Sequence, residues 1–192
     1  MKALVKKYAE PGIWMEEVPM PEVGVNDVLI KVTKAAICGT DLHMYKWDEW
    51  SQAHCVPPYT MGHEFVGVVA EVGPGVRNFK VGERVTAEGH IVCGHCRNCR
   101  RGMGHVCENT ISVGIMGKDG CFAEYVTIPE SNVVRVRPEI PDDFAAIMDP
   151  FGNATHTALA FPLLGEDVLI TGAGLIGTMA AGICRFSGAK NI

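Results

Sequence analysis

Four cysteines, Cys93, Cys96, Cys99 and Cys107, stand in a C-x2-C-x2-C-x7-C array. No other feature limits the fold as tightly, because thiols at that spacing must either pair covalently or share a cation. The leading residues Met1 to Tyr8 hold no apolar run of signal-peptide length, and no stretch approaches the roughly 20 apolar residues of a membrane helix. A cytoplasmic chain is therefore expected. Thiols stay reduced there, so the 8 cysteines point to metal rather than disulfides. Gly94, Gly102 and Gly104 let the chain fold back, as a closed tetrahedral zinc site requires. Ferredoxin-type iron–sulfur runs also open with this spacing, but they close with C-x3-C-Pro, whereas here the last gap is longer and Glu108 follows. Zinc is the better fit. Four thiolates leave no open position, so such a site clips a lobe and does no chemistry. His95 and His105 are then surface residues, and Cys55, Cys121 and Cys184 are structural.

A second cluster has a different character. Ala36-Ile37-Cys38-Gly39-Thr40-Asp41-Leu42-His43, completed by Gly62-His63-Glu64, gathers a thiol, imidazoles, carboxylates and a hydroxyl. A zinc site that does chemistry needs about three protein ligands and an open position. Cys38, His63 and Glu64 supply three. Taken alone, Cys38 reads as a small buried residue and His63-Glu64 as a solvated pair. Thr40 and His43, three residues apart, suit a proton relay: a hydroxyl donates and accepts at once, and histidine titrates near neutrality. Thr40 or Asp41 is expected to cap a short helix. The segment Trp47-Asp48-Glu49-Trp50-Ser51 reads as exposed and aromatic, either a packed loop cover or a substrate contact.

Around these clusters the chain reads as short strands punctuated by Gly and Pro: Lys2 to Val5, Trp14 to Val18, Asp27 to Thr33 and Phe65 to Val72. That pattern predicts a β-rich barrel. A formal charge of −5 argues against nucleic acid or an anionic membrane as partner, and Arg97, Arg100 and Arg101 read as lobe surface. Pro138 and Pro141 mark a linker, after which Asp142 is expected to cap a helix through Phe144 to Ile147. His156 reads as core or surface rather than ligand.

At the far end Asp167-Val168-Leu169-Ile170-Thr171 predicts a strand running into Gly172-Ala173-Gly174-Leu175-Ile176-Gly177 and an alanine-rich helix, Thr178 to Phe186. Strand, G-x-G-x-x-G, helix is the context of the dinucleotide fingerprint. Gly172 makes the turn, Gly174 admits the pyrophosphate, Ile176 lies within the loop, and Gly177 packs helix on strand. The acidic residue that would read the ribose is expected about 20 residues on. The chain stops at Ile192 as that strand begins, so NAD and NADP are not distinguished.

The pattern Gly62-His63-Glu64 followed by Gly67, Gly73 and Val76 resembles the signature of the zinc-containing medium-chain alcohol dehydrogenases. Gly82-Glu83-Arg84-Val85 is similar to that family's Gly-Asp-Arg-Val element, with Glu83 replacing the usual aspartate. The family carries the same four-cysteine lobe, and Gly120 to Val126 resembles its return strand. The resemblance implies a mixed α and β fold. Residues 1–150 would form a GroES-like β-barrel catalytic domain with a structural zinc lobe at 90–108. Residues 151–192 would begin a Rossmann domain and leave it incomplete. Two Zn2+ ions per chain, one catalytic and one structural, and NAD+ are implied. Asp149, before Pro150, would lie close to the catalytic zinc, as a transient fourth ligand or, preferably, as a group tuning the metal's water; a plain helix-end aspartate is the alternative. Residues 36–43, 47–51, 88–93 and 149–154 resemble the members that oxidise L-threonine to 2-amino-3-oxobutanoate, with His90 lining the substrate pocket. A related polyol or alcohol dehydrogenase, or an inactive zinc-binding fragment, are the other readings. A homo-oligomer is expected at full length.

Overall fold

The computed structural model describes every residue from Met1 to Ile192, in two compact units, Met1–Ala146 and Ile147–Ile192. In the first unit, strands β1 (Lys2–Lys6), β2 (Trp14–Glu17) and β3 (Asp27–Ala36) precede helices α1 (Gly39–Lys46) and α2 (Glu49–His54). Then come β4 (Tyr59–Thr60), β5 (Glu64–Val72), β6 (Arg84–Ala87), β7 (His90–Ile91), α3 (Arg97–Arg100), β8 (Ile111–Val113), β9 (Gly117–Lys118), β10 (Tyr125–Pro129), β11 (Val133–Arg135) and α4 (Asp142–Ala145).

Five strands form the main sheet in the order β10-β3-β5-β6-β11, all pairs antiparallel. Smaller sheets have the orders β2-β1-β4 and β7-β8-β9. The main sheet forms where β-branched and aromatic residues repeat. Its buried side chains, Val28, Ile30, Phe65, Val69, Val85, Val126 and Ile128 among them, pack into one core. Full burial of such a side chain contributes about 1.5–3 kcal/mol. A second cluster of Met44, Cys55 and Met61, with Trp47 and Tyr59 against it, anchors α1 to β4.

One buried charge ties the first strand to this region. Lys6 at the end of β1 is 0% exposed. Its ammonium donates to the Glu10 and Gly12 carbonyls and lies over the rings of Trp14 and Trp47. Burial lowers its pKa, and the carbonyls and ring faces offset part of the desolvation cost.

Asp142 does not cap α4. The cap is Pro141, and the Asp142 carboxylate accepts instead from Arg84 Nε at 2.9 Å, an ion pair with a β-strand that outcompetes a local cap. The second unit comprises α5 (Met148–Ala158) and α6 (Leu175–Phe186) around a small core of Leu163, Cys184 and Ala189. The expected strand at 167–171 is only a parallel bridge between Asp167 and Asn191. A strand is defined by its ladder, and the chain supplies a single pairing partner there. No helix is long and apolar enough to cross a membrane.

Candidate functional site

The register of β3 against β5 builds the first cluster. Ala36 pairs with Glu64, so the residues leaving β3 and those entering β5 meet at one end of the sheet. The ligand atoms of Cys38, His63 and Glu64 lie within 4.8 Å of one another. Cys38 is half-buried, while His63 and Glu64 are 7% and 3% exposed, so a cation here would be largely shielded from water. Gly62 has φ +91°, and a Cβ on it would lie 2.3 Å from the Phe122 ring. The strand therefore enters His63 through a conformation that suits glycine. The Cys121 and Phe122 amides donate to the Gly62 and Met61 carbonyls at 2.8 Å, which fixes the segment.

Asp41, which the sequence offers as a helix cap, also stands beside this cluster. It is 4% exposed, and its Oδ2 accepts from the Cys38 amide at 2.8 Å. Cys38, rather than Thr40 or Asp41, is the N-cap of α1, because the turn already begins at Gly39 and Asp41 reaches back to close it. The other oxygen, Oδ1, has no hydrogen bond and lies 4.0 Å from His63 Nδ1. Burial pushes the Asp41 carboxyl up, while the Cys38 amide and His63 pull it down. A carboxylate beside a histidine is how proteins orient an imidazole toward a metal. A thiol, an imidazole, a carboxylate and this supporting aspartate form a donor set that fits zinc. The signal was present as Cys-x-x-Asp, the spacing of a helix N-terminus whose third residue turns back.

Thr40 and His43 stand one turn apart on α1. Thr40 Oγ1 is 3.6 Å from Cys38 Sγ, so the helix runs from the cluster outward. His43 is at the exposed end, its Nδ1 against Asp48 Oδ2. His90 is also exposed, and its Nδ1 meets Glu88 Oε1 at 2.6 Å. That contact holds the Glu88 carboxyl below its usual range.

The four-cysteine lobe is equally well formed. Cys93, Cys96, Cys99 and Cys107 bring their sulfurs within 4.8 Å of one another, and none is disulfide-bonded. Backbone amides point at the sulfurs: Cys96 to Cys93, Cys99 to Cys96 and Cys93 to Cys107, each at 3.4 Å. The His95 and Cys96 amides lower the Cys93 thiol to about 6, whereas burial and neighbouring thiols push Cys99 up to about 12. Four thiols this close cannot all ionise unaided. A divalent cation resolves the conflict, which is the chemistry of a tetrahedral zinc site. His95 and His105 are exposed, and His95 Nδ1 meets the Cys93 carbonyl at 2.8 Å.

The second unit holds the remaining candidates. Asp149 lies in the first turn of α5, where Asn153 Nδ2 donates to its carbonyl at 3.1 Å. His156 is exposed on the same helix. Gly172 has φ +101°, and a Cβ on Gly177 would lie 2.0 Å from the Gly172 carbonyl oxygen. The loop thus folds tightly onto the N-terminus of α6, with Gly174 as its cap and Ile176 exposed.

Residues 24–139 match the model of the alcohol dehydrogenase GroES-like domain. The chain belongs to the zinc-containing alcohol dehydrogenase family. Among members of that family, the L-threonine 3-dehydrogenase of Mesorhizobium japonicum is 60% identical over 192 residues, covering 100% of this chain and 56% of its own. The L-threonine 3-dehydrogenase of Anaeromyxobacter sp. is 62% identical over 193 residues, with the same coverage of 100% and 56%. A candidate zinc-binding dehydrogenase from Sinorhizobium meliloti, bound to NADP, superposes with a TM-score of 0.87 at 33% identity, covering 98% of this chain and 54% of that one. The chain thus spans about half the length of the curated alcohol dehydrogenase relatives it matches.

Proposed function

We propose that this chain is the zinc-binding portion of an L-threonine 3-dehydrogenase, which oxidises the L-threonine hydroxyl to 2-amino-3-oxobutanoate and passes the hydride to NAD+. The observation that carries this reading is the 60% identity, across all 192 residues, with a relative of that name. In this reading the first unit is a GroES-like β-barrel and the second opens a Rossmann domain. Cys38, His63 and Glu64 hold the catalytic zinc, and Cys93, Cys96, Cys99 and Cys107 hold the structural one. Bound zinc supplies Lewis acidity that makes the substrate hydroxyl easier to deprotonate, and the nicotinamide supplies the hydride acceptor.

The chain's own residues handle what the oxidation releases. Removing a hydride from the carbinol carbon leaves one proton to dispose of. The Thr40 hydroxyl takes it within the half-buried cluster and passes its own to His43, whose exposed imidazole returns it to water. Asp41 would steady His63 from the Nδ1 side while His63 helps to hold the zinc. Gly172, Gly174, Ile176 and Gly177 receive the cofactor pyrophosphate at the N-terminus of α6, where amide donors and the helix dipole favour an anion.

The test is a comparison of L-threonine with simple alcohols and polyols, measured as NADH formation by an enzyme of the relatives' full length carrying these 192 residues. Preference for threonine by kcat/KM is expected. A polyol turned over as well as threonine would replace the substrate assignment with the related-dehydrogenase reading.

A further inference from the structure

Asp48 does two things at once. It is the N-cap of α2, its Oδ1 accepting from the Ser51 amide at 3.1 Å and the Ser51 hydroxyl at 3.2 Å. Its Oδ2 faces His43 Nδ1. The backbone is built to bring them together. Trp47 ends α1 with φ 55°, a left-handed turn uncommon for a bulky residue, and Gln52 Nε2 pins the Trp47 carbonyl at 2.8 Å. Ser51, under the carboxylate, is fully buried, so the cap is a fixed mount. The Trp50 ring flanks His43 at 6.0 Å between centroids and stacks on His54 at 4.9 Å.

We propose that Asp48 is a positioning residue for the proton path: it holds the His43 imidazole in the tautomer protonated on Nδ1 and so presents Nε2 as the base. An ionised carboxylate only accepts hydrogen bonds, so the proton between the two groups belongs to the ring nitrogen. Contact with His43 and the Ser51 amide keep the Asp48 carboxyl below its usual range, hence ionised near neutrality. An imidazole left to water favours the opposite tautomer, with Nε2 protonated and unable to accept. The logic is that of any catalytic histidine steadied by an aspartate. Other titratable groups on these two helices are Asp41 and Tyr45, Lys46 and Glu49 on either side of Asp48 in sequence, and His54, stacked on Trp50. The catalytic meaning rests on the Thr40–His43 relay assigned above, whereas the tautomer is a property of the chain itself.

The experiment uses the 192-residue chain labelled with 15N-histidine, and long-range 1H–15N correlations of neutral His43 report which nitrogen carries the proton. Native protein is expected to show Nδ1 protonated and Nε2 bare. Asp48→Ser keeps a capping hydroxyl for α2 but removes the carboxylate, and should move the proton to Nε2. Asp48→Asn keeps an accepting oxygen and should retain the native pattern. Protonated Nε2 in native protein overturns the inference, as does an unchanged tautomer in the serine variant; if that variant loses α2, native and Asn proteins still decide. In the full-length enzyme, Asp48→Ser should lower kcat by roughly 10²-fold at unchanged KM, the lower end of general acid–base effects. A moved tautomer with unchanged kcat would leave Asp48 in place and remove the relay.

Discussion

His43 is more than half exposed on its side chain, so replacing it creates no cavity and leaves no buried group stranded. His43→Ala in the full-length enzyme should therefore keep both zinc ions and its melting temperature, and lose about 10²- to 10⁴-fold in kcat. Cys38→Ser should instead remove the catalytic ion, as read by metal analysis, and activity with it. Normal threonine oxidation by the alanine variant across neutral pH would end the relay assignment. Glu130 offers a test of stability alone. Its Oε1 accepts from the Arg77 amide at 2.8 Å and the Asn78 amide at 2.5 Å, and those amides hold its carboxyl below the usual range. A group depressed in the folded state stabilises above its unfolded pKa, and that contribution fades as pH falls through the folded value. Glu130→Gln should thus melt below native protein at about pH 7, with the gap narrowing as pH falls below the ordinary glutamate value of about 4.3. A gap independent of pH would show that the carboxylate charge is not what holds the loop.

At the scale of elements, the antiparallel pairing of β3 with β5 decides whether there is a site at all. Cys38 is distant in sequence from His63 and Glu64, and one register step would turn alternate side chains to the other face. The metal lobe is a separate matter, because its four ligands are local and closed. The two candidate ions should accordingly differ in lability. Brief chelation of the native chain is expected to remove about one ion first, from the three-ligand cluster with its open position. Equal and simultaneous loss, or iron bound at the cysteines, would contradict the zinc assignments. The cysteine spacing was legible in sequence because ligands close in sequence need no tertiary information. Asp41 was not, because its role depends on His63 arriving from another strand. The start of α1 was misplaced for a related reason: a cysteine is an uncommon cap, and the carboxylate that secures it comes from inside the helix.

At the scale of the molecule, the two units carry unequal cores. The second buries little, while Leu169, Phe186 and Leu164 are 88%, 94% and 83% exposed. Holding a hydride acceptor against its donor can supply roughly 7 to 11 kcal/mol of a barrier, and a cofactor crevice of this type forms between the halves of a complete doubly wound sheet. The 192 residues alone are therefore expected to bind zinc, bind NAD+ weakly by calorimetry and form no NADH with threonine. Appreciable turnover would show that the first β-α segment suffices. The amino-acid sequence by itself determined the family, the four-cysteine spacing and the glycine loop, because each is written as local spacing, whereas the three-residue cluster was legible only through the family resemblance and needs β3 paired with β5. Only the tertiary structure decided what surrounds them. It buried Lys6 between two tryptophans, took Asp142 from its helix to Arg84, set Asp41 beside His63, and turned Asp48 onto His43. Each of those choices is a competition among partners distant in sequence or around a left-handed turn, and the winner is set by which groups the packed chain brings within reach.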